Sequence, residues 1–188
     1  INTILLYIRM LFTMVISLYT SRVILQVLGA DDFGIYNVVG GVVVLFSFLT
    51  NAMTSSTQRF LNYNLGLKNE SKVSHIFNVS ILTHFTIFLL VLLLSETVGL
   101  WFVMTQLNIP VGRETATMWV YQMYVVTTLI GIMVIPYRAS IIAAERMSIF
   151  AYVSILEVAL KLVVVLVLSY MSFDNLVMYS ILLTLVAL

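Results

Sequence analysis

Residues 85–94 read FTIFLLVLLL, and the apolar stretch around them extends over residues 76–103. A spanning helix needs about 20 apolar residues, whereas a tilted barrel strand needs roughly ten. Only these two structures satisfy the backbone within lipid, so a run of this length is a transmembrane helix. Apart from Thr86, nothing in residues 85–94 is polar, and this segment is expected to face lipid. Working outward, five more apolar segments follow the same rule: residues 3–28, 35–56, 116–135, 148–171 and 176–188. The last is short of a full span, which reads as a helix cut within a longer protein. The expected fold class is all-α: a polytopic transmembrane helix bundle of about six helices forming one domain over residues 1–188.

Composition supports this reading. Of 188 residues, 62% are hydrophobic and only 9% charged, against about a quarter charged in soluble domains. That excludes a soluble globular domain, a disordered chain and a nucleic-acid binder acting through bulk positive charge. With no cysteine, disulfide frameworks, thiolate metal sites and cysteine nucleophiles are absent, and His75 and His84 lack metal-pair spacing. Neither a phosphate-binding glycine loop ending in Lys-Ser/Thr nor a hydrolase nucleophile elbow occurs. The expectation is therefore a protein without covalent chemistry, catalytic residues, bound metal or organic cofactor.

Orientation follows from the cations. The loops after the second and fourth segments carry Arg59, Lys68, Lys72, Arg138 and Arg146, while those after the first, third and fifth carry only Arg113. The positive-inside rule then places the N-terminus in the cytoplasm. Trp101 and Trp119 flank the third loop, as interfacial tryptophans do. Asp31 and Asp32, between Gly29 and Gly34, read as turn residues.

Three cations remain within the spans, Arg9, Arg22 and Lys161, with Glu157 as the accompanying acid, a balance of +2. An intramembrane charge costs roughly 2.5 to 3.5 kcal/mol on insertion scales and marks a candidate functional site. The alternatives are snorkelling of either arginine to the nearer surface and a self-contained i,i+4 pair between Glu157 and Lys161. At about 100° per residue, Arg9, Thr13, Ser17 and Thr20 share one face of the first helix. Ser47, Asn51, Thr54, Ser55 and Gln58 form a stripe on the second, with Gly40 on the same side. Such stripes line a cavity or join helices by hydrogen bonds. His84 reads as an interhelical hydrogen-bonding residue or a proton relay. A cavity with excess cations suits an anionic head group such as a diphosphate.

Several segments resemble one family. Leu18-Tyr19-Thr20-Ser21-Arg22-Val23-Ile24-Leu25, Leu28-Gly29 and Asp32-Phe33-Gly34-Ile35-Tyr36-Asn37-Val38-Val39-Gly40-Gly41 look like the start of Wzx-type O-antigen flippases. These are polysaccharide exporters of the multidrug/oligosaccharidyl-lipid/polysaccharide superfamily. Thr57-Gln58-Arg59-Phe60-Leu61 with Leu65-Gly66 resembles the end of that family's second helix. Ile141-Ile142-Ala143-Ala144-Glu145-Arg146-Met147 resembles its fourth cytoplasmic turn.

The resemblance implies a protein of 12 to 14 helices in two lobes, of which this chain supplies most of the N-terminal lobe. It implies transport of undecaprenyl-diphosphate-linked oligosaccharide across the bacterial inner membrane by alternating access. Arg9, Arg22 and Lys161 would attract the head group, and Asn51, Thr54, Ser55 and Gln58 would contact sugar hydroxyls. Glu157 would orient Lys161 or take part in proton or sodium coupling. The partners implied are the lipid-linked oligosaccharide, membrane lipids, and polysaccharide polymerase and chain-length machinery. Drug efflux by the same fold would require an embedded acid with an aromatic wall. A membrane-embedded polymerase or ligase would carry a large periplasmic loop.

Overall fold

The computed structural model describes the backbone of residues 2–45, 48–67, 69–170 and 173–188, with the side chains of residues 2–6, 8, 48–52, 147 and 150 outside the described set. The helices are α1 (Asn2–Val44), α2 (Phe48–Gly66), α3 (Glu70–Leu94), α4 (Leu100–Thr105), α5 (Glu114–Ala143), α6 (Met147–Leu168) and α7 (Asn175–Ala187). A π turn, Ser95–Gly99, joins α3 to α4. No strand occurs among the described residues. Arg9–Val44, Glu70–Thr105, Glu114–Ala143 and Ala151–Leu168 are long and apolar enough to cross a membrane, and α7 is a shorter apolar helix. The chain is an all-α, multi-pass membrane protein.

The first chain reversal occurs inside α1. Gly29 adopts φ 78° and ψ 174°, a conformation that side chains with a Cβ rarely tolerate, and it divides the helix into two arms. The arm before Gly29 packs along α6. Arg9 Nη1 donates to Ser154 Oγ at 3.2 Å near the start of α6, and Asn175 Nδ2, at the first residue of α7 beyond the end of α6, donates to the Val27 carbonyl at 3.4 Å. The two helices therefore run parallel, and Arg9 and Val27 lie about 27 Å apart along the axis, close to the hydrocarbon thickness of a bilayer. The arm after Gly29 runs with α5, because Asp32 meets Arg113 and Gly40 meets Tyr124.

Asp31 and Asp32 consequently sit in the first turn of the second arm, not in an open turn as the sequence suggested. Acids at a helix N-terminus complement the positive end of its dipole. Asp32 is buried and holds Arg113, whose Nε donates to Asp32 Oδ1 at 2.8 Å and whose Nη2 reaches Oδ2. Nη1 of the same guanidinium reaches Asp174 Oδ2. Asp174 also caps α7, its Oδ1 accepting from Leu176 N at 3.0 Å and Val177 N at 3.3 Å. The hydrogen bonds that Arg113 donates to Asp32 hold the Arg113 pKa above its usual value. One guanidinium thus ties the reversal at Gly29, the start of α5 and the start of α7.

α5 is the centre of the bundle, with Val120, Tyr121, Val125, Leu129, Ile132 and Ala139 buried. Pro136, expected in the following connection, is inside this helix and buried, and Ser140 Oγ donates to its carbonyl at 2.9 Å. Lipid offers no hydrophobic drive for helix association, so close packing has to supply it. At the π turn, Tyr121 donates to the Ser95 carbonyl at 2.6 Å, and a Cβ on Gly99 would stand 2.3 Å from the Tyr121 hydroxyl. On α3, Phe85, Leu89, Leu90 and Leu93 are exposed, consistent with a lipid face, while His84 and Val91 are buried.

Arg113→Met leaves the buried Asp32 carboxylate without its cation and should lower stability in detergent by about 3 kcal/mol. Asp174→Ala removes a cap and a more exposed contact and should cost about 1 kcal/mol. Equilibrium unfolding followed by circular dichroism ranks the two.

Candidate functional site

A partly open cavity of about 200 Å³ lies between α1, α5, α6 and α7, lined by Tyr36, Met123, Tyr124, Thr127, Glu157, Lys161, Ser180, Leu183, Thr184 and Ala187. Glu157 and Lys161 are one turn apart on α6, and Lys161 Nζ lies 2.7 Å from Glu157 Oε1. Both side chains are only partly exposed, 41% for Lys161 and 34% for Glu157. The i,i+4 pair expected from the spacing is formed, and it lines a cavity. A charge pair inside a span is retained only where its partners lower the desolvation cost.

The wall opposite is hydroxyl-rich and aromatic. Thr127 and Thr184 oxygens are 3.0 Å apart, and Thr184 Oγ1 donates to its own helix at the Ser180 carbonyl, 2.9 Å away. The Tyr36 ring lies between Tyr124 and Tyr179 with centroids 4.8 Å from each. Gly40 makes this arrangement fit, because a Cβ there would stand 2.5 Å from the Tyr124 ring.

The remaining candidates distribute over several faces. Arg9 lies on the α1–α6 contact at Ser154, about 20 residues and hence roughly 30 Å along the helix from the Gly29 reversal. Ser154, Glu157 and Lys161 fall within one sector of α6, so Arg9 and Lys161 share a face of that helix about 10 Å apart along its axis. Thr20 is buried toward α6, whereas Thr13 Oγ1 donates within its own helix to the Met10 carbonyl at 3.0 Å. Arg22 is exposed on the face of α1 opposite α6, and no described acid is within ion-pair reach of it. The three cations therefore do not line one cavity within this chain.

The stripe expected along the second span is also divided. α1 ends at Val44 and α2 begins at Phe48, so Gly40 and Thr54 stand on different helices. Ser47 and the Asn51 side chain lie outside the described residues. Thr54 is half-buried and Ser55 exposed. Gln58 lines a separate groove of about 560 Å³ with Asn62, Gly66 and Glu145, at the end of the bundle where α2 and α5 terminate. That groove brings together two of the segments that carry the family resemblance.

His84 bonds within its own helix. Its Nδ1 is 2.8 Å from the Ser80 carbonyl, and the Ser80 hydroxyl is 3.1 Å from Thr57 Oγ1 on α2. The interhelical link is thus made by Ser80, with the imidazole behind it. Glu96, on the π turn, belongs in the intramembrane charge balance and accepts from Gln122 Nε2 at 3.3 Å. With it, the six apolar segments read from the sequence hold three cations and two acids, a balance of +1.

Sequence reasoning missed Tyr36, Tyr124, Ser180 and Thr184. The i,i+4 spacing of Ser180 and Thr184 was a usable signal, since it puts two hydroxyls on one face of an otherwise apolar helix. No family model, no curated protein and no solved structure matches the chain.

Gly40→Ala should lower stability by about 1 to 3 kcal/mol, because the Tyr124 ring must shift away from its packing on Tyr36 to admit the Cβ. Thermal unfolding of the variant in detergent measures this, and Gly41→Ala, where a Cβ meets nothing within 4 Å, is the matched control.

Proposed function

We propose that this chain forms most of the N-terminal lobe of a flippase that carries undecaprenyl-diphosphate-linked oligosaccharide across the bacterial inner membrane for surface polysaccharide export. The observation that carries this reading is Lys161: an ammonium within a span, lining a cavity whose other walls offer hydroxyls and aromatic rings. An ammonium attracts phosphate oxygens, and hydroxyl and aromatic side chains suit sugars. The resemblance of residues 18–41, 57–66 and 141–147 to Wzx-type proteins points the same way. Under this reading Arg22, exposed and without a described acid partner, would meet the substrate from the side of α1 away from α6. Alternating access would expose the cavity to each leaflet in turn, without covalent chemistry. The polymerase and chain-length machinery would receive the flipped repeat unit.

In cells expressing only Lys161→Ala, lipid-linked repeat units should accumulate and surface polysaccharide should fall at least tenfold, with the protein still inserted in the membrane. Normal surface glycan in that strain would remove Lys161 from the mechanism.

Orientation is part of this proposal. Arg59, Lys72, Arg138 and Arg146 are all exposed in or beside the even connections, and the opposite end holds Arg113 with two acids. The chain contains no cysteine, so single substitutions report location cleanly. Val111→Cys should react with a membrane-impermeant maleimide added outside intact spheroplasts, and Glu145→Cys only after permeabilisation. The reverse pattern would invert the topology.

One observation favours a second reading. Glu157 has an aromatic wall in Tyr36 and Tyr124, the combination that suits an organic cation in multidrug efflux. Under that reading Glu157→Gln raises drug sensitivity and leaves surface glycan unchanged.

A further inference from the structure

A partly open groove, separate from the Glu157–Lys161 cavity, lies where α1 reverses. It has a volume of about 390 Å³ and runs between the second arm of α1 and the loop from α4 to α5, with Asp31, Gly34, Ile35, Val38, Asn108 and Ile109 among its walls. At about 100° per residue, Asp31, Gly34, Ile35 and Val38 fall on one face of that arm, and Val38 lies about 10 Å beyond Asp31 along the axis. The groove is therefore graded, acidic at the reversal and apolar away from it. No described cation is within ion-pair reach of the exposed Asp31 carboxylate. Arg113, at the end of the same loop, is already held by Asp32 and Asp174. With Asp31, Asp32, Glu114 and Asp174 against Arg113, these connections carry a net charge of −3.

Gly34 keeps the groove open. A Cβ built there meets nothing within 4 Å, so no neighbour requires a glycine, in contrast to Gly40 and Gly99. Glycine also weakens a helix relative to alanine. What the missing side chain provides is room on the groove floor. Trp119, two residues past Thr117 of the groove wall, is about half exposed, as is Trp101. Exposed tryptophans at the ends of spans stand at head-group depth, where lipid fills a groove. The surplus of acids repels anionic head groups, and a free carboxylate selects an ammonium that donates hydrogen bonds. We propose that this groove binds a phospholipid with a primary ammonium head group. The ammonium sits on Asp31, the phosphate on the Asn108 amide, and an acyl chain along Ile35 and Val38. The site requires only that the chain lie in a bilayer, and it does not rest on the flippase reading.

The test is native mass spectrometry of the purified protein released from nanodiscs with equal amounts of phosphatidylethanolamine, phosphatidylcholine and phosphatidylglycerol. Phosphatidylethanolamine should be retained in roughly fivefold preference, the upper end of what one exposed ion pair gives. Stepwise N-methylation of its amine should lower retention, because each methyl group removes a donor. Asp31→Asn should bring the lipids to parity, and Gly34→Leu, which fills the floor, should remove the retained lipid. Neither residue belongs to the Arg113 fork or to the buried core, so the circular dichroism of both variants should match wild type. Equal retention of the lipids by the wild type overturns the site, as does a preference for phosphatidylglycerol. A preference that survives in Asp31→Asn, or undiminished retention in Gly34→Leu, overturns it too. If a variant fails to fold, the lipid ranking and the methylation series of the wild type decide alone.

Discussion

A single guanidinium sets the geometry at one end of the bundle. Arg113 holds Asp32 and Asp174 at once, so the reversal at Gly29 and the cap of α7 are fixed relative to the start of α5. The fork geometry of arginine matters here, because two carboxylates from different helices require donors pointing in two directions. With that end pinned, the arm before Gly29 lies along α6 and the arm after it along α5. The partly open cavity containing Glu157 and Lys161 lies between these same elements and α7.

The second constraint is the closeness that membrane helices need. Gly40 and Gly99 each lie against a tyrosine where no Cβ fits. Both tyrosines are on α5, one turn apart, and each serves a different neighbour. Tyr121 satisfies the Ser95 carbonyl at the π turn, and Tyr124 packs on Tyr36 at the cavity wall. The same packing that holds α5 at the centre therefore also shapes the site.

Charges within the spans follow three distinct solutions. Arg9 reaches a serine on the neighbouring helix α6, and Lys161 is neutralised by an acid one turn away. Arg22 remains on the open face of α1. Only the second solution builds a site within this chain, since it holds an ammonium in a defined place beside hydroxyls and aromatic rings.

Fold class was legible in the sequence because apolar length alone forces helices in lipid, and the reversals fell where glycine and charged residues interrupt the runs. The Glu157–Lys161 pair was legible for the same reason, as i,i+4 spacing is a local property of one helix. The fork at Arg113 was not, since Asp32, Arg113 and Asp174 are separated by whole helices and nothing local distinguishes an ion-paired aspartate from a turn aspartate. Nor was the division of Arg9, Arg22 and Lys161 among different faces, because a helical wheel relates residues on one helix and leaves the rotation of that helix against its neighbours unstated. Packing decides that rotation: the contact of Arg9 with Ser154 turns the arm before Gly29 so that one arginine meets α6 and the other faces away.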